Sequence, residues 1–526
     1  MNTWLKIELK TTGVAILSGL LLTASFPKTG LHGLAWVALV PLLWALKDVT
    51  PGEAFRRGMV FGLAHFVSLL YWLVPTMVTY GRLPFILSIG ILFLFAAVLS
   101  LVFIAPALYG ISLVCRTPKR VIFFFPLFWV GTEFLRSFLF TGFPWELLGY
   151  SQYEQLHLIQ LSDISGVYGL SGLIACANAA LFLGVLAVLR QPWRGQPVKL
   201  RLALGSIAAA ALWVGAAWIY GDLRIAQVDQ LVAQAPKMRV AVIQGNIEQS
   251  QKWDRAFQKA TIDTYIRLSL STRPQQPELI VWPESAAPFY FLAEVPPTRM
   301  VMQGVTAAGA HFLIGAPSFD LRGQQADYFN SAYLVGPGGE VLGKYDKAHL
   351  VPYGEYTPFK EYLPFLGKIV EHVGDFKPGI QGQTLDMQGR KLGVQICYEI
   401  IFPALARAMV QNGAGLLITI TNDAWYGTTA GPYQHFSLAV LRAVENRRAL
   451  ARAANTGISG FIDPAGRVLE RTPLMKEAAV VRELPLLETT AVYTRWGDIF
   501  AASCLIGSIV SAAWELLRHR QSRFKI

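Results

Sequence analysis

Long apolar runs, separated by short polar segments, fill the first 220 residues of the chain and return once near its end. A run of about 20 apolar residues can cross a bilayer as a helix, and a shorter run can do so when anchoring residues flank it. Residues 222–492 follow a different pattern, in which short apolar runs alternate with polar turns. The pattern predicts about eight membrane spans, near residues 11–26, 31–47, 57–79, 84–114, 120–140, 165–189, 200–220 and 493–517.

These runs predict three parts of the chain. We expect a membrane domain of seven spans at 1–221, a polar domain at 222–492, and a last span with a polar tail at 493–526. Composition agrees with membrane residence, because 53% of the residues are hydrophobic and 15% are charged, whereas soluble proteins carry about 25% charged residues. We interpret the N-terminal run as a retained first span, since no small-residue cleavage site follows it.

Positive charge follows the predicted spans. The formal net charge is +12. Lys and Arg concentrate in alternate segments, at 6–10, 47–57, 116–120, 190–201 and 518–525, while the opposite short loops contain Lys28 and Arg82. Since positively charged loops stay in the cytoplasm, both termini are expected there and the polar domain outside it. The charge therefore does not indicate a nucleic-acid partner, and no nucleic-acid-binding motif accompanies it.

The polar domain has the pattern of an α/β fold. Runs typical of strands buried on both faces occur at 238–244, 279–284, 311–317, 391–397 and 415–421. Turns with glycine predict hairpins at 335–345, 387–395 and 462–470. Helices are predicted at 255–271 and 434–453. We expect a layered sandwich with mixed strands. A doubly wound dinucleotide-binding fold is the alternative, but no G-x-G-x-x-G opens a helix after the first strand.

Three residues of this domain have the chemistry that covalent acyl transfer needs. Cys397 follows the apolar run KLGVQI, where a turn at the strand end would expose a nucleophile and direct backbone N–H groups at an oxyanion. Glu284 follows LIVWP, and it is a candidate proton acceptor at the carboxyl end of a buried strand. Lys347, in KYDKAHLVPYGE, offers an ammonium group to an oxyanion or a thiolate.

Each residue also has an ordinary alternative. Cys397 could be a structural cysteine, which is our interpretation of the three cysteines in or beside apolar segments, Cys115, Cys176 and Cys504. Glu284 could be a solvated carboxylate or a helix cap, and Lys347 a surface lysine. No disulfide framework is expected from four cysteines placed in this way.

Polar residues elsewhere in this domain also have both a functional and an ordinary interpretation. Glu355, between Gly and Pro residues in PYGEYTP, could hold Lys347 in position or be a solvated loop carboxylate. A metal site is not expected, because no Cys or His has zinc-ligand spacing. His349 and His435 stand isolated in the sequence, and neither matches Glu284 as a candidate base for Cys397.

Four motifs of the polar domain together resemble the nitrilase (carbon–nitrogen hydrolase) superfamily, whose triad is Glu-Lys-Cys: WPES, KYDKAHLVPYGE, ICYE and TNDAWYG. With the flanking spans, the chain is similar to the apolipoprotein N-acyltransferase branch of that superfamily. TGFPWELLGY, GVYGLSG and QGNIEQSQKW resemble that branch too. The resemblance covers essentially the whole chain. It implies a polytopic helical membrane domain of about eight spans and an extracytoplasmic nitrilase-like α-β-β-α sandwich.

The resemblance implies roles for individual residues. Glu284 would be the general base, Lys347 the cation that stabilises the oxyanion, and Cys397 the nucleophile. Supporting roles fall to Glu355, Tyr398 and Glu399, and substrate-binding or lid roles to Trp253, Trp425 and Tyr426. Segments 288–292 and 423–426 are candidate lids at the membrane interface, with local core packing as the alternative.

The resemblance also implies an activity. A fatty-acyl chain, from the sn-1 position, would pass from a phospholipid to the α-amino group of the diacylglyceryl cysteine of apolipoproteins, by a ping-pong mechanism through a thioester. The enzyme would act in the bacterial inner membrane, with its catalytic domain in the periplasm. Expected partners are the phospholipid, the diacylated apolipoprotein and the bilayer; we expect a monomer without a cofactor.

Two other functions stay open. An anchored amidase or nitrilase with water as acceptor would share the triad but would not need eight spans. A transporter with an external accessory domain would place polar or broken helices at mid-membrane, whereas the predicted spans contain few ionisable residues.

Overall fold

A computed structural model describes residues 3–323, 325–357 and 375–523, without the side chains of residues 3–10, 322 and 519–523. The chain divides into two compact units. The first contains Met1–Val74, Leu83–Leu223 and Asp498–Ile526, and the second contains Pro75–Arg82 and Arg224–Gly497. The end of the predicted polar tail, including Lys525, lies outside the described residues.

Helices build the first unit. In chain order they are α1 (Thr3–Ala24), α2 (Val40–Ala45), α3 (Pro51–Leu69), α4 (Leu73–Thr79), α5 (Phe85–Leu99), α6 (Ala105–Val114), α7 (Pro118–Arg136), α8 (Leu156–Ile159), α9 (Ser162–Val188) and α10 (Leu200–Gln234), followed near the C-terminus by Ile499–Arg523. The ends of α4 and α10 belong to the second unit. A π-helical turn, Ser100–Ile104, joins α5 to α6.

Four of the described helical segments are long and apolar enough to cross a membrane: Phe85–Val114, Ser162–Val188, Leu200–Gln234 and Ile499–Arg518. The pair α3 and α4, bent by 54°, gives a fifth if it is one broken span. By this criterion the described residues contain four or five spans, not eight. Thr11–Ala24 and His32–Ala45 are apolar but shorter. Helix α7 matches the fifth predicted span, but it contains Lys119, Arg120, Glu133 and Arg136.

Two six-stranded sheets form the centre of the second unit among the described residues. The strands are β1 (Lys237–Gln244), β2 (Leu279–Val281), β3 (His311–Arg322), β4 (Gln325–Val335), β5 (Val341–Asp346), β6 (Thr384–Met387), β7 (Arg390–Ile396), β8 (Leu416–Thr421), β9 (Ala449–Ala454), β10 (Gly460–Ile462), β11 (Val468–Arg471) and β12 (Ala478–Pro485). Their orders are β12-β1-β2-β3-β4-β5 and β11-β10-β9-β8-β7-β6.

Each sheet has three parallel strands in its middle, β1 to β3 in one and β7 to β9 in the other. Antiparallel strands flank them. Since β1 contacts β9 and β4 contacts β7, the sheets face each other. Both Val242 and Ile243 are fully buried, although alternate residues of a strand point to opposite faces. A strand covered on both sides therefore explains the continuous apolar runs.

The helices of the second unit are α11 (Gln249–Lys252), α12 (Arg255–Ser271), α13 (Val295–Ala308), α14 (Pro403–Gln411), α15 (Gly431–Asn446) and α16 (Val492–Trp496). Ile262 of α12 and Val305 of α13 pack in one core with Ile243 and Ile280 of the first sheet. Helix α14 contacts β7, and α15 contacts β9 and β10. Helices outside two facing sheets make the α-β-β-α sandwich expected from the sequence.

Some predicted elements need correction. The helix predicted at 255–271 has those bounds, but the one predicted at 434–453 ends at Asn446, where Arg447 adopts a left-handed φ of 51°. Residues 449–454 are strand β9, paired in parallel with β8. The strand predicted at 279–284 ends at Val281, shortly before a proline that cannot donate a ladder hydrogen bond. The last long helix begins at Ile499 rather than 493, after Gly497 ends α16.

Candidate active site

Glu284 lies in the turn after β2, where the parallel strands of the first sheet end. Its Oε1 accepts a hydrogen bond from Asn330 Nδ2 at 2.8 Å, and its Oε2 accepts one from the backbone N–H of Asn422 at 3.0 Å. Gly315 permits the turn, because a Cβ there would lie 2.2 Å from the Pro283 carbonyl oxygen. Residues from both sheets thus fix the orientation of one buried carboxylate.

Lys347 follows β5 and is 1% exposed. Its Nζ lies 3.0 and 2.9 Å from the two carboxylate oxygens of Glu355, and 3.7 Å from Oε1 of Glu284. Asn330 Nδ2 also donates to Glu355, at 2.8 Å, and so bridges the two carboxylates. Burial opposes the charge of Lys347, but Glu355 and then Glu284 outweigh it and raise the pKa of the ammonium above its usual value. Lys347 is therefore a cation at neutral pH.

Cys397 begins a short 3-10 helix directly after β7, and its φ of 53° lies in the left-handed region. That conformation costs a non-glycine residue about 1 kcal/mol or more and persists only when the surroundings hold it. The holding contacts are on both sides of the residue: Ile396 N–H donates to Glu399 at 2.7 Å, and His435 Nε2 donates to the Cys397 carbonyl at 3.1 Å. The turn lies at the end of the strand, as predicted, but Cys397 is buried in it rather than exposed.

Burial, and then the Glu284 carboxylate, raise the pKa of the Cys397 thiol, while Lys347 lowers it. The raising effects outweigh the lowering effect of Lys347, so the thiol is protonated at neutral pH. Because the thiolate is the reactive form, attack by Cys397 requires that a nearby group accept the proton. Among the carboxylates, Glu284 has the largest effect on the pKa of this thiol, so it is the candidate acceptor.

Glu399 joins the segment after Lys347 to the turn at Cys397. Its Oε1 accepts hydrogen bonds from the backbone N–H groups of Ala348 and His349, at 2.7 and 3.0 Å. The Tyr345 hydroxyl donates to the same carboxylate at 2.9 Å. Burial raises the pKa of Glu399 to about 7, against the lowering effects of the Ile396 N–H group, the Lys347 charge and the donors at His349 and Tyr345. A single buried side chain thus sets the spacing between two candidate catalytic segments.

The sequence did not indicate Lys252, which is 2% exposed. Its Nζ donates to the backbone carbonyl of Glu284 at 2.9 Å. Burial lowers the pKa of Lys252 to about 8, although Glu284 and Cys397 favour the charged form. It ends α11, immediately before the predicted residue Trp253, which is half-buried. Lys252 lies within QSQKW, a motif that resembles the family. The motif alone does not distinguish a lysine of the site from a surface lysine.

His435, which stands isolated in the sequence, has close partners in the folded structure. Besides its bond to the Cys397 carbonyl, His435 places Nδ1 2.9 Å from Asp423, whose other oxygen accepts a hydrogen bond from Arg452 at 2.9 Å. Burial raises the pKa of Asp423, but Arg452 and then His435 lower it to about 2. This buried charge cluster supports the backbone of the turn at Cys397. The sequence could not place three residues from β9, α15 and the end of β8 together.

The predicted aromatic residues differ in their surroundings. Tyr398 is buried, with its ring 5.2 Å from that of Phe402, and Tyr426 meets His435 edge-on at 6.0 Å. Trp425 is half-buried. Phe289 and Phe291 lie in the core of the first sheet, which favours the core-packing alternative for 288–292, and the lid expected there stays a prediction. Among the described residues, no cluster of His, Cys, Asp and Glu could hold a metal ion.

Comparison with known proteins gives the family. Residues 239–493 match carbon–nitrogen hydrolases, and residues 18–180 match the N-terminal domain of apolipoprotein N-acyltransferases. The apolipoprotein N-acyltransferase of Geobacter metallireducens is 45% identical over 512 residues, which cover 96% of this chain and 95% of that protein. That of Methylococcus capsulatus is 31% identical over 525 residues, 98% of each chain.

Among solved structures, an amidase of the nitrilase superfamily from Nesterenkonia is 24% identical and covers 50% of this chain and 95% of its own, with a TM-score of 0.37. The family match at residues 239–493 makes the second unit a carbon–nitrogen hydrolase domain, with two sheets among its described residues. The chain as a whole belongs to the apolipoprotein N-acyltransferase family, and it is an acyltransferase.

Proposed function

We propose that the protein transfers a fatty-acyl chain from the sn-1 position of a phospholipid to the α-amino group of the N-terminal diacylglyceryl cysteine of apolipoproteins. This reaction would complete lipoprotein maturation. Family membership supports the classes of donor and acceptor. One observation carries the catalytic assignment: Glu284 and Lys347 lie 3.7 Å apart, and both act on the thiol of Cys397.

In the first half-reaction, Glu284 accepts the thiol proton while Cys397 Sγ attacks the ester carbonyl carbon of the phospholipid. Lys347, together with backbone N–H groups of the nucleophile turn, stabilises the negative oxygen of the tetrahedral intermediate. The ester C–O bond breaks, and Glu284 returns the proton to the departing alkoxide. A lysophospholipid leaves and a Cys397 thioester remains.

In the second half-reaction, the neutral α-amine of the apolipoprotein attacks the thioester carbonyl. Glu284 accepts a proton from the amine, the C–S bond breaks, and the proton passes to the Cys397 sulfur. Amide formation drives the step because the amide is more stable than the thioester. The two substrates use one site in turn, so the kinetics are ping-pong.

The supporting residues have narrower proposed roles. Glu355 holds Lys347, and Glu399 and Tyr398 keep the nucleophile turn in place. Trp253, Trp425 and Tyr426 contact the acyl chain or cover it as a lid. The half-buried state of Trp253 and Trp425 supports their part of this proposal.

We also propose a monomer with eight spans, divided at 1–221, 222–492 and 493–526, with both termini in the cytoplasm and the catalytic domain in the periplasm. The long apolar helices and the bacterial relatives support an inner-membrane location. Exposing a long acyl chain to water costs about 0.8 kcal/mol per CH₂, roughly 10 kcal/mol or more in all. A site at the bilayer surface avoids that cost.

The test is incubation of the purified protein with phospholipid labelled in its sn-1 chain and a synthetic diacylated lipopeptide. We expect N-acylated lipopeptide and lysophospholipid in equal amounts. Phospholipid labelled at sn-2 serves as the control and should leave the peptide unlabelled. Free fatty acid without N-acyl peptide would overturn the proposal in favour of a membrane-anchored hydrolase that uses water as acceptor.

A further inference from the structure

A short segment from the N-terminal half of the chain belongs to the second unit. This segment, Pro75–Arg82, contains the end of α4 and the turn after it. Thr76 Oγ1 donates a hydrogen bond to the Trp425 carbonyl at 2.7 Å, and the Tyr80 hydroxyl donates one to the Ala424 carbonyl at 2.9 Å. The Tyr80 and Trp425 rings meet edge-on, with centroids 5.0 Å apart. The consecutive carbonyl groups of Ala424 and Trp425 are therefore both bonded by residues of the segment 75–82.

The loop that these contacts hold is bonded to the candidate reacting groups. At its start, Asn422 N–H donates to Oε2 of Glu284. Next to it, Asp423 contacts His435, which in turn donates to the Cys397 carbonyl. The backbone position of residues 422–425 thus bears on both the candidate base and the nucleophile turn.

The loop is anchored at its first two residues, where Asn422 and Asp423 have buried partners, but the turn that follows is a weak determinant of backbone position. Residues Asp423–Tyr426 form one 3-10 turn, which ends at Gly427 with a φ of 55°. An isolated 3-10 turn has poorer hydrogen-bond geometry than an α-helix and does not extend far. Contacts from Thr76 and Tyr80 supply a constraint that the turn lacks.

We propose that Thr76 and Tyr80 are positioning residues for acyl transfer, which fix the loop at 422–426 so that Glu284 and the Cys397 turn keep their reactive arrangement. This inference rests on the proposed role of Cys397 as the nucleophile. It assigns a function to α4. Helices α3 and α4 form the bent pair that is a candidate broken span. A hydrophobic segment distant in sequence thereby becomes part of the site's support.

Acylation of Cys397 by p-nitrophenyl butyrate, measured as the rate of the initial p-nitrophenol burst, tests this role without a lipid substrate. Thr76→Val and Tyr80→Phe each remove one hydroxyl and keep the side-chain shape. We expect each to slow acylation about threefold and the double variant about tenfold, because one net hydrogen bond is lost in each case. Thr76→Ser keeps the hydroxyl and should restore the wild-type rate.

Thr79→Val is the matched control, since Thr79 is exposed in the same helix, and it should acylate at the wild-type rate. Melting temperatures of all variants should agree, which separates positioning from folding. A double variant that acylates as fast as wild type, or faster, overturns the positioning role. A wild-type protein that neither the ester nor phospholipid acylates at Cys397 overturns the proposed function itself.

Discussion

The Lys347 ammonium contacts both carboxylate oxygens of Glu355, at 2.9 and 3.0 Å, and stands farther from Glu284, at 3.7 Å. Glu355 therefore binds the lysine, while the oxygens of Glu284 accept hydrogen bonds from Asn330 and Asn422. Lys347 is therefore paired first with Glu355 and has Glu284 as a more distant neighbour. Two buried carboxylates beside one lysine can thus perform different tasks.

Replacing Glu355 by Gln tests whether Glu355 binds Lys347 and thereby leaves Glu284 free for a different task. Without its closest carboxylate, Lys347 would pair with Glu284 and hinder proton uptake there. We expect acylation of Cys397 to slow about 100-fold, which corresponds to about 2.7 kcal/mol of barrier. Rapid-quench measurement of the acyl-enzyme gives the rate. Glu340→Gln, at an exposed turn before β5, is the control and should match wild type; a Glu355→Gln rate within threefold of wild type would refute the division.

Glu399→Gln should destabilise the second unit by about 3 kcal/mol, because an amide nitrogen would face backbone N–H donors in a buried site. Tyr345→Phe removes only the hydroxyl donor to the same carboxylate and should cost about 1 kcal/mol. Chemical unfolding in detergent measures both values. Equal losses for the two variants would mean that the backbone contacts of Glu399 contribute little.

The reactivity of Cys397 should rise steadily with pH. Since burial and Glu284 raise the pKa of its thiol, the thiolate fraction grows about tenfold per pH unit throughout the neutral range. Iodoacetamide labelling between pH 7 and 9, quantified on the peptide that contains Cys397, should follow that slope. A plateau below pH 8 would show a thiolate already present at rest, and the need for a general base would disappear.

Lys252 should give the stability of the protein a specific pH dependence. Its pKa is about 8 in the folded protein against 10.5 for the free side chain. Between these values the unfolded chain binds more protons, so unfolding free energy rises with pH. From pH 7 to 9, wild type should gain about 1 kcal/mol relative to Lys252→Met. Parallel pH profiles for the two proteins would show that Lys252 is not titrating in this range.

Much of the site could be predicted because its residues sit at the ends of apolar runs. Cys397 and Lys347 follow β7 and β5 directly, and Glu284 comes three residues after the end of β2. The polar residue after a buried strand lies at the sheet edge, where α/β folds place their sites. Their positions after apolar runs therefore indicated Glu284, Lys347 and Cys397 one by one, and the family resemblance implied that the three form one site.

Contacts between distant segments could not be predicted in the same way. Residues 449–454, ALARAA, have high helix propensity, yet pairing with β8 and complete burial make them a strand. Nothing in the sequence near Lys252 or His435 indicates the partner that each contacts. The hold of Thr76 on the Trp425 carbonyl spans 349 positions of the chain, and only the folded structure brings those two residues together.

Intact mass spectrometry after incubation with phospholipid alone tests the central claim most directly. Cys176→Ala is the matched control, since Cys176 is a free cysteine in the apolar helix α9. Wild type and Cys176→Ala should each gain one fatty-acyl mass, removable by hydroxylamine as a thioester is, and Cys397→Ala should gain none. An acyl adduct that persists in Cys397→Ala, or lipopeptide acylation by that variant at the wild-type rate, would contradict the assignment of Cys397 as the nucleophile.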